Sequence, residues 1–451
     1  MFAYILSLFL ALYVPLEPVF NAWVPDDIYI YWISLPEFLI LACGLLILFD
    51  RFYIRPPQGE RVSFTHFLKL QYKEVGAMAL FALWVVISTL LNWQSGVVAL
   101  LGVRQILRFI GFAYLIHMAG LTKTHARTLL IVMMSMVLLQ TSLGIAQVTL
   151  PESWTHFIQG RDERVAVSFA PPTFDINWLV GTRATGTLLR YDRLGVFLAL
   201  GVIIFVAWER YILAGFVSIA LLATYSRTAW IGTLCALIYI LWVRHRAKEI
   251  KAIAVLIGMG ILSLIIYAYM VPYPIRFIQE SYRVTIPQRI LQTFSRSELE
   301  VSSERFGRIF FWGATLGEIV QDNPLLGVGP GRYGGGAVSI GNNHAVYDEY
   351  NIPFGIENKG GQIDNNWLSL WGELGTIGLF LFIYLLYTLW SQAKKLYHGT
   401  RDIFFKKASV ALRACIIAYS LFALFGPYFE LKPSSYYFWM LGALTLTPYE
   451  D

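Results

Sequence analysis

The stretch YILAGFVSIALLATYSRTAWIGTLCALIYILWV, residues 211–243, decides the fold. Two apolar runs, about 211–224 and 228–243, flank the polar break Thr224-Tyr225-Ser226-Arg227-Thr228. Neither run carries a charge, and each approaches the roughly 17 to 25 apolar residues that a helix needs to cross a bilayer core. Backbone groups in hydrocarbon must be bonded within their own segment, which makes such runs helices. The alternation of a membrane β-barrel is absent. A guanidinium at such a break is expensive in hydrocarbon and normally has a partner.

The same pattern recurs outward in both directions. Further apolar runs lie at about 2–16, 34–49, 77–92, 97–117, 128–148, 194–208, 252–271, 365–390, 409–427 and 434–447. The chain of 451 residues is 57% hydrophobic and 14% charged, against about 25% charged in a soluble globular domain. These features predict an all-α polytopic membrane protein with about 12 transmembrane helices. The net charge is +6, and its placement says more than its size. With the N-terminus in the cytoplasm, the inside loops hold Arg51, Arg55, Arg61, Lys69 and Lys73; Lys123 and Arg127; Arg244, Arg246, Lys248 and Lys251; and Lys394, Lys395, Arg401, Lys406 and Lys407. The short outside loops near 17–33, 93–96 and 428–433 hold almost none. This positive-inside bias sets the orientation, and the basic runs read as topology signals rather than nucleic-acid sites. Cys43, Cys235 and Cys415 are isolated in apolar helices and offer neither a disulfide framework nor metal-ligand spacing. The first helix lacks a cleavage-like small-residue motif and reads as a retained span.

No fixed-period repeat and no inverted pair of broken helices is visible, so a transporter, the reading of another class, lacks its usual signature. Two segments exceed mere connectors. The organisation predicted is N-terminal transmembrane helices over 1–148, an extracytoplasmic loop over 149–193, transmembrane helices over 194–271, a large extracytoplasmic loop over 272–364, and C-terminal transmembrane helices over 365–451. Amphipathic stretches near 276–292 and 304–321 are expected to lie on the membrane surface. Function sits preferentially on loops held by a rigid scaffold.

Outward-facing arginines are the main anomaly: Arg183, Arg190, Arg193, Arg227, Arg305, Arg308 and Arg332. A guanidinium fork suits phosphate, although Arg227 also has the bland reading of snorkelling to outer headgroups. Arg104 and Arg108 share one helical face and either hold a lipid phosphate or pair with an acid such as Glu37. Asp364 precedes a span and reads as an N-cap or as a functional acid. Glu373 lies deeper in that span and is expected to bond an arginine or line a wet cavity. The Gly327-Val328-Gly329-Pro330-Gly331-Arg332-Tyr333-Gly334 run lacks the strand and helix that a nucleotide loop needs, and reads as a tight turn feeding a cleft. His344, in an amide- and aromatic-rich loop, is either solvated or part of a sugar site. No cluster has the spacing of a metal site.

Four stretches in order resemble the O-antigen ligase and O-antigen/exopolysaccharide polymerase family of bacterial envelope glycosyltransferases. Arg183-Ala184-Thr185-Gly186-Thr187 is similar to the family's Arg-x-x-Gly-Thr entry. Ser226-Arg227 is similar to its Ser-Arg-Gly element, with Thr228 in place of the glycine. Arg308-Ile309-Phe310-Phe311-Trp312, leading to Pro324-Leu325-Leu326-Gly327-Val328-Gly329-Pro330-Gly331, is similar to its Arg-x3-Trp and Pro-Leu-x-Gly-x-Gly signature. Asp364-Asn365-x9-Gly375-x2-Gly378 is similar to its His/Asp-Asn-x9-Gly-x2-Gly element. The likeness covers about 180–390. Ligases that join O-antigen to lipid A-core carry a histidine where Asp364 stands, so the departure favours a polymerase over a ligase.

The resemblance implies a GT-C-like architecture in the bacterial inner membrane, with the active site on the periplasmic or outer face. It implies a glycan on undecaprenyl pyrophosphate as donor and a hydroxyl of a second lipid-linked glycan as acceptor, without cofactor, nucleotide sugar or metal. A flippase and a chain-length regulator are the implied partners, together with membrane lipids. The pyrophosphate leaving group develops negative charge, which fixed cations stabilise. Arg227 and Arg308 are expected in that role, and Asp364 is expected to orient or deprotonate the acceptor. Arg183, Arg190, Arg305, Arg332, Asn365, His344 and Glu373 are expected in substrate binding. A shape- or division-type peptidoglycan glycosyltransferase is a further reading, which the ordered motifs disfavour.

Overall fold

Each predicted span that falls among the described residues is a helix, as its apolar, charge-poor sequence requires. The computed structural model describes residues 2–21, 24–25, 28, 32, 34–49, 73–119, 121–150, 183–245, 259, 303–304, 307–355 and 360–447. Apart from Met259, the expected span 252–271 lies outside them, as do the amphipathic stretch 276–292 and Arg305. In chain order the helices are α1 (Phe2–Tyr13), α2 (Glu17–Asn21), α3 (Leu35–Phe49), α4 (Lys73–Leu91), α5 (Gly96–Met118), α6 (Lys123–Thr149), α7 (Tyr191–Ala207), α8 (Tyr211–Ala223), α9 (Arg227–Val243) and α10 (Arg308–Ala314). A π-helical turn (Thr315–Ile319) continues α10 into α11 (Val320–Asp322), and α12 (Gly336–Gly341), α13 (Ala345–Glu349), α14 (Asn366–Gly399), α15 (Ile403–Phe422) and α16 (Ser434–Leu446) follow. The described residues contain no strand. By length and composition α5, α6 and α14 can cross a membrane, and shorter apolar helices include α1, α4, α8 and α9. Among the described residues the chain is all-helical, and its long apolar helices are those of a membrane protein.

In the bundle α15 packs against α9 and α14, while α7 packs against α8 and α9. Helix α5 lies along α16, and α4 lies along α14. Leu100, Ile212 and Phe380 are exposed on the outside, as side chains that face lipid rather than water would be. The helix ends remote from the 224–228 break are tied by ion pairs. Glu209 meets Arg244 at 3.4 Å and Lys407 at 3.3 Å, and Asp402 meets Arg127 at 3.7 Å.

Residues 307–355 and 360–363 form a second, smaller core around Phe311, Tyr333, Val346, Tyr347 and Ile363. This cap is fastened where α14 breaks. Gly375 takes φ 67° and ψ −174° inside the helix, which releases carbonyls that cannot remain unpaired in an apolar setting. Val328 N donates to Gly372 O at 2.8 Å, Gly329 N to Glu373 O at 2.9 Å, and Trp84 Nε1 to Leu374 O at 3.0 Å. Thr376 N in turn donates to Pro324 O at 2.8 Å. A Cβ on Gly375 would stand 2.3 Å from Leu325 O, and one on Gly327 2.5 Å from Glu373 O. The glycine run is therefore a backbone plug for the break.

Two expectations for this helix are corrected. Glu373 neither pairs with an arginine side chain among the described residues nor lines the cavity: its carboxylate is fully buried and accepts from Gly331 N at 3.0 Å and Tyr333 N at 3.1 Å. Two backbone N–H groups stabilise the buried acid in place of a cation. The N-cap of α14 is Asn365, whose side chain accepts from Leu368 N at 3.1 Å. Asp364, one residue earlier, turns its carboxylate to Arg308 instead.

These local devices set two stability tests. Gly375→Ala costs about 1–3 kcal/mol in backbone strain before its clash is counted, and lowers the thermal midpoint of the detergent-solubilised protein. Gly111→Ala, with open space at its Cβ, does not; equal midpoints would refute the plug. Asn365→Ala removes a cap worth about 0.5–2 kcal/mol, whereas Asp364→Asn leaves that cap intact and lowers the midpoint less.

Candidate active site

The site is assembled from turns that the bundle holds by their backbones. In α6, two glutamines of an otherwise apolar face cradle residues 183–187. Gln147 Oε1 accepts from Thr185 N at 3.0 Å and Gly186 N at 2.7 Å, and Gln140 Oε1 accepts from Thr187 N at 3.0 Å. Ala184 N donates to Ala223 O at 2.9 Å, which joins this segment to the end of α8. Each buried amide gives and takes, so the non-helical backbone beside it is satisfied.

The α8–α9 turn follows. Tyr225 adopts φ 55°, reversing the chain so that Arg227 becomes the first residue of α9. Trp230 Nε1 donates to Leu221 O at 2.9 Å and locks the hairpin. Gly195 of α7 lies against Ser226, where a Cβ would come within 2.7 Å of the serine Cβ. The polar break thus seats on the start of α7. Arg308, the first residue of α10, comes from the cap.

These parts enclose one cavity of about 630 Å³ between bundle and cap. Arg190, Arg227, Arg308 and Asp364 all line it, together with Arg193, Asp192, Tyr428 and Glu430. Arg308 Nη2 meets Asp364 Oδ2 at 3.0 Å, with the arginine side chain 44% exposed and the acid 11%. Arg190 Nε meets Asp192 Oδ1 at 2.9 Å, and Tyr428 O–H donates to Asp192 Oδ2 at 3.3 Å. Burial pulls the Arg308 guanidinium down, but the charge and hydrogen bond of Asp364 outweigh it and hold the group above its usual range. Arg190 is raised for the same reason: Asp192 and then Asp364 outweigh its burial. Both stay cationic. Six arginines face three acids on the described wall, Arg104 and Arg108 included, so the cavity carries a positive excess suited to an anion. The N-terminal ends of α7 and α9 open into it and add to that preference.

The remaining expected residues stand apart from the cavity wall. Arg183 lies over the Tyr191 ring at 4.3 Å, and Tyr191 reaches the wall. Arg332 donates to Val328 O at 2.9 Å within the glycine run. His344 stacks on Phe354 at 3.6 Å and pairs with Asn342 Oδ1 at 3.2 Å in the cap. Asn365 caps α14, and Glu373 is sealed behind the glycine run. The expected pairing of Arg104 and Arg108 with Glu37 is present, at 3.4 Å and 3.2 Å, and both arginines also reach the cavity.

Sequence reasoning missed Asp192, Tyr428, Glu430 and Gln105. Gln105, between two arginines in an apolar helix, and Glu430, in a short outer loop, were the available signals. A buried amide or acid there needs partners from elsewhere in the fold.

No curated protein matches the chain. Residues 211–383 match the family described as O-antigen ligase. The match takes in the Ser226-Arg227 turn, Arg308, the glycine run and the Asp364-to-Gly378 element; the 183–187 segment lies ahead of it. The match over residues 211–383 supports an assignment to the O-antigen ligase and polymerase family and, with it, a membrane glycan-handling enzyme.

Proposed function

We propose that the chain is a glycosyltransferase that polymerises oligosaccharide repeat units carried on undecaprenyl pyrophosphate, working at the outer face of the inner membrane. The observation that carries this reading is the meeting of Arg227, Arg308, Arg190 and Asp364 in one cavity, from four separated stretches of chain. The acceptor hydroxyl attacks the anomeric carbon, the bond to the pyrophosphate oxygen breaks, and the lipid pyrophosphate leaves with the electron pair. Arg227 and Arg308 hold the phosphates, with Arg190 beside them. Arg308 has five N–H donors, and Asp364 occupies one face of the fork, so the arginine can hold a phosphate without releasing the carboxylate. Asp364 then orients the acceptor hydroxyl and takes its proton late, when the oxygen has become acidic. The reaction needs positioning and charge stabilisation rather than a strong nucleophile.

The basic loops support the orientation. Arg244, Lys407 and Arg127 gather at the helix ends remote from the cavity, and under the positive-inside rule this supports a cavity on the outer face. Asp364, where ligases carry histidine, supports polymerisation. The matched family's description favours the second reading, transfer of the glycan to lipid A-core. Purified protein given lipid-linked repeat unit, with and without lipid A-core, separates the two. A ladder without lipid A-core supports the polymerase, product only in its presence supports the ligase, and no product in either arm refutes both.

Arg227→Ala and Arg308→Ala are expected to lower kcat for transfer by roughly 10²–10³-fold at normal membrane levels; wild-type product lengths in both would refute the phosphate clamp. Asp364→Asn is expected to be far more damaging than His344→Ala in the same assay. The reverse order would move the acceptor site into the cap around Phe354.

A further inference from the structure

Glu430 lies in the turn between α15 and α16, on the cavity wall and almost fully buried. Both its oxygens are committed. Oε2 accepts from Gln105 Nε2 at 2.6 Å, and Oε1 accepts from Asn366 Nδ2 at 2.8 Å. Each amide passes the constraint on. Gln105 Oε1 accepts from Ala337 N at the start of α12, and Asn366 Oδ1 accepts from Phe429 N at 2.8 Å. Asn366 is the first residue of α14, two positions after Asp364, and Ala337 belongs to the cap wall of the cavity. One carboxylate therefore connects α5, the cap and the segment that presents Asp364.

The arrangement is satisfied only with the carboxylate ionised. A proton on either oxygen weakens that oxygen as an acceptor and adds a donor to a site where both side-chain partners are themselves donors. A flip of Gln105 to offer the new donor an acceptor would leave Ala337 N without one, and a flip of Asn366 would do the same to Phe429 N. Protonation therefore weakens the bonds that hold both walls of the cavity to Glu430. We propose that Glu430 is a positioning residue for the transfer reaction, holding Asp364 and the Ala337 wall in register through Asn366 and Gln105, and that protonation releases them.

This inference rests on the transfer reading above. Burial pushes the Glu430 carboxyl up to about 7, although Arg108 and the Asn366 and Gln105 hydrogen bonds pull it back. The charged groups that bear on it are Arg108 from α5, which also donates to its backbone carbonyl, and Glu373 from α14. Arg104, Glu37 and Lys432 form the ion-pair cluster beyond Arg108, and Asp364 and Arg308 share the cavity. The linkage has a definite sign. A carboxyl raised in the folded state binds its proton there more readily than in the unfolded chain. Its contribution to stability is therefore greatest in acid and falls as pH rises to about 7. Activity that needs the ionised network runs the other way, so acid silences the enzyme without unfolding it.

The test uses the full chain in detergent with lipid-linked repeat unit, from about pH 5.5 to about 8.5. In the wild type, kcat is expected to fall about tenfold per pH unit below about 7 with KM little changed, while the thermal midpoint holds or rises. Glu430→Gln is expected to remove this limb, leaving kcat uniformly near the wild-type acid value. Gln105→Leu, which deletes one donor to the ionised form, is expected to move the midpoint of the limb upward. Tryptophan fluorescence, reporting Trp312 on the cavity wall and Trp367 beside Asn366, is expected to step near the same pH in the wild type and not in Glu430→Gln. Wild-type kcat with an unmoved acid limb in Glu430→Gln overturns the proposal, as does an unmoved midpoint in Gln105→Leu. Wild-type protein that makes no product at any pH overturns the transfer reading itself, and the fluorescence step then decides for Glu430 alone.

Discussion

A transmembrane helix cannot be broken cheaply, because each freed carbonyl or amide in hydrocarbon costs several kcal/mol unless something bonds it. In this protein α14 is broken at Gly375, and the 324–331 backbone supplies the missing partners. The exchange is mutual. The glycine run has no regular structure of its own and obtains its hydrogen bonds from the helix that it repairs. Glu373, sealed within the junction, bonds two further amides of the same run. The cap is thereby fixed to the bundle close to the cavity, and the placement of Arg308 relative to Asp364 follows from it. The Gln105–Ala337 bond and the Arg308–Asp364 pair are further links between the two halves of the cavity.

Around that junction the bundle repeats one device. A polar side chain in an apolar helix holds a stretch of non-helical backbone: Gln140 and Gln147 hold the 183–187 segment, Gln105 holds the start of α12, and Asn366 holds the turn before α16. Each such amide is costly to bury alone and is retained because it is fully bonded. The charged residues of the site then stand on turns whose backbones are already fixed. For the proposed transfer, fixed cations would do more than mobile ones, since they need no reorganisation as charge develops on the leaving group.

Much of this was legible before any coordinates. The apolar runs, the sparse charge and the basic loops specify a helical membrane protein because the bilayer imposes these patterns on any chain that crosses it. Arg227 stood out because a cation flanked by apolar sequence demands an explanation, and Arg308 through its place in the Arg308-to-Trp312 motif. Less legible were residues whose meaning depends on a partner far along the chain. Asp364 reads as an N-cap until the capping bond is seen to come from Asn365. Glu373 reads as a candidate for the wet cavity until its carboxylate is found against Gly331 and Tyr333.

The sequence by itself determined the helices, their orientation signals and the family motifs, because each is a local or one-dimensional property: hydropathy length, charge placement, ordered short patterns. Only the tertiary structure decided which polar residues meet. The Arg308–Asp364 pair spans 56 positions, Gln105–Glu430 spans 325, and Trp84 reaches Leu374 across 290. No spacing rule links residues on separate helices. Their pairing is set by how the bundle packs and by the requirement that every buried donor and acceptor find a partner.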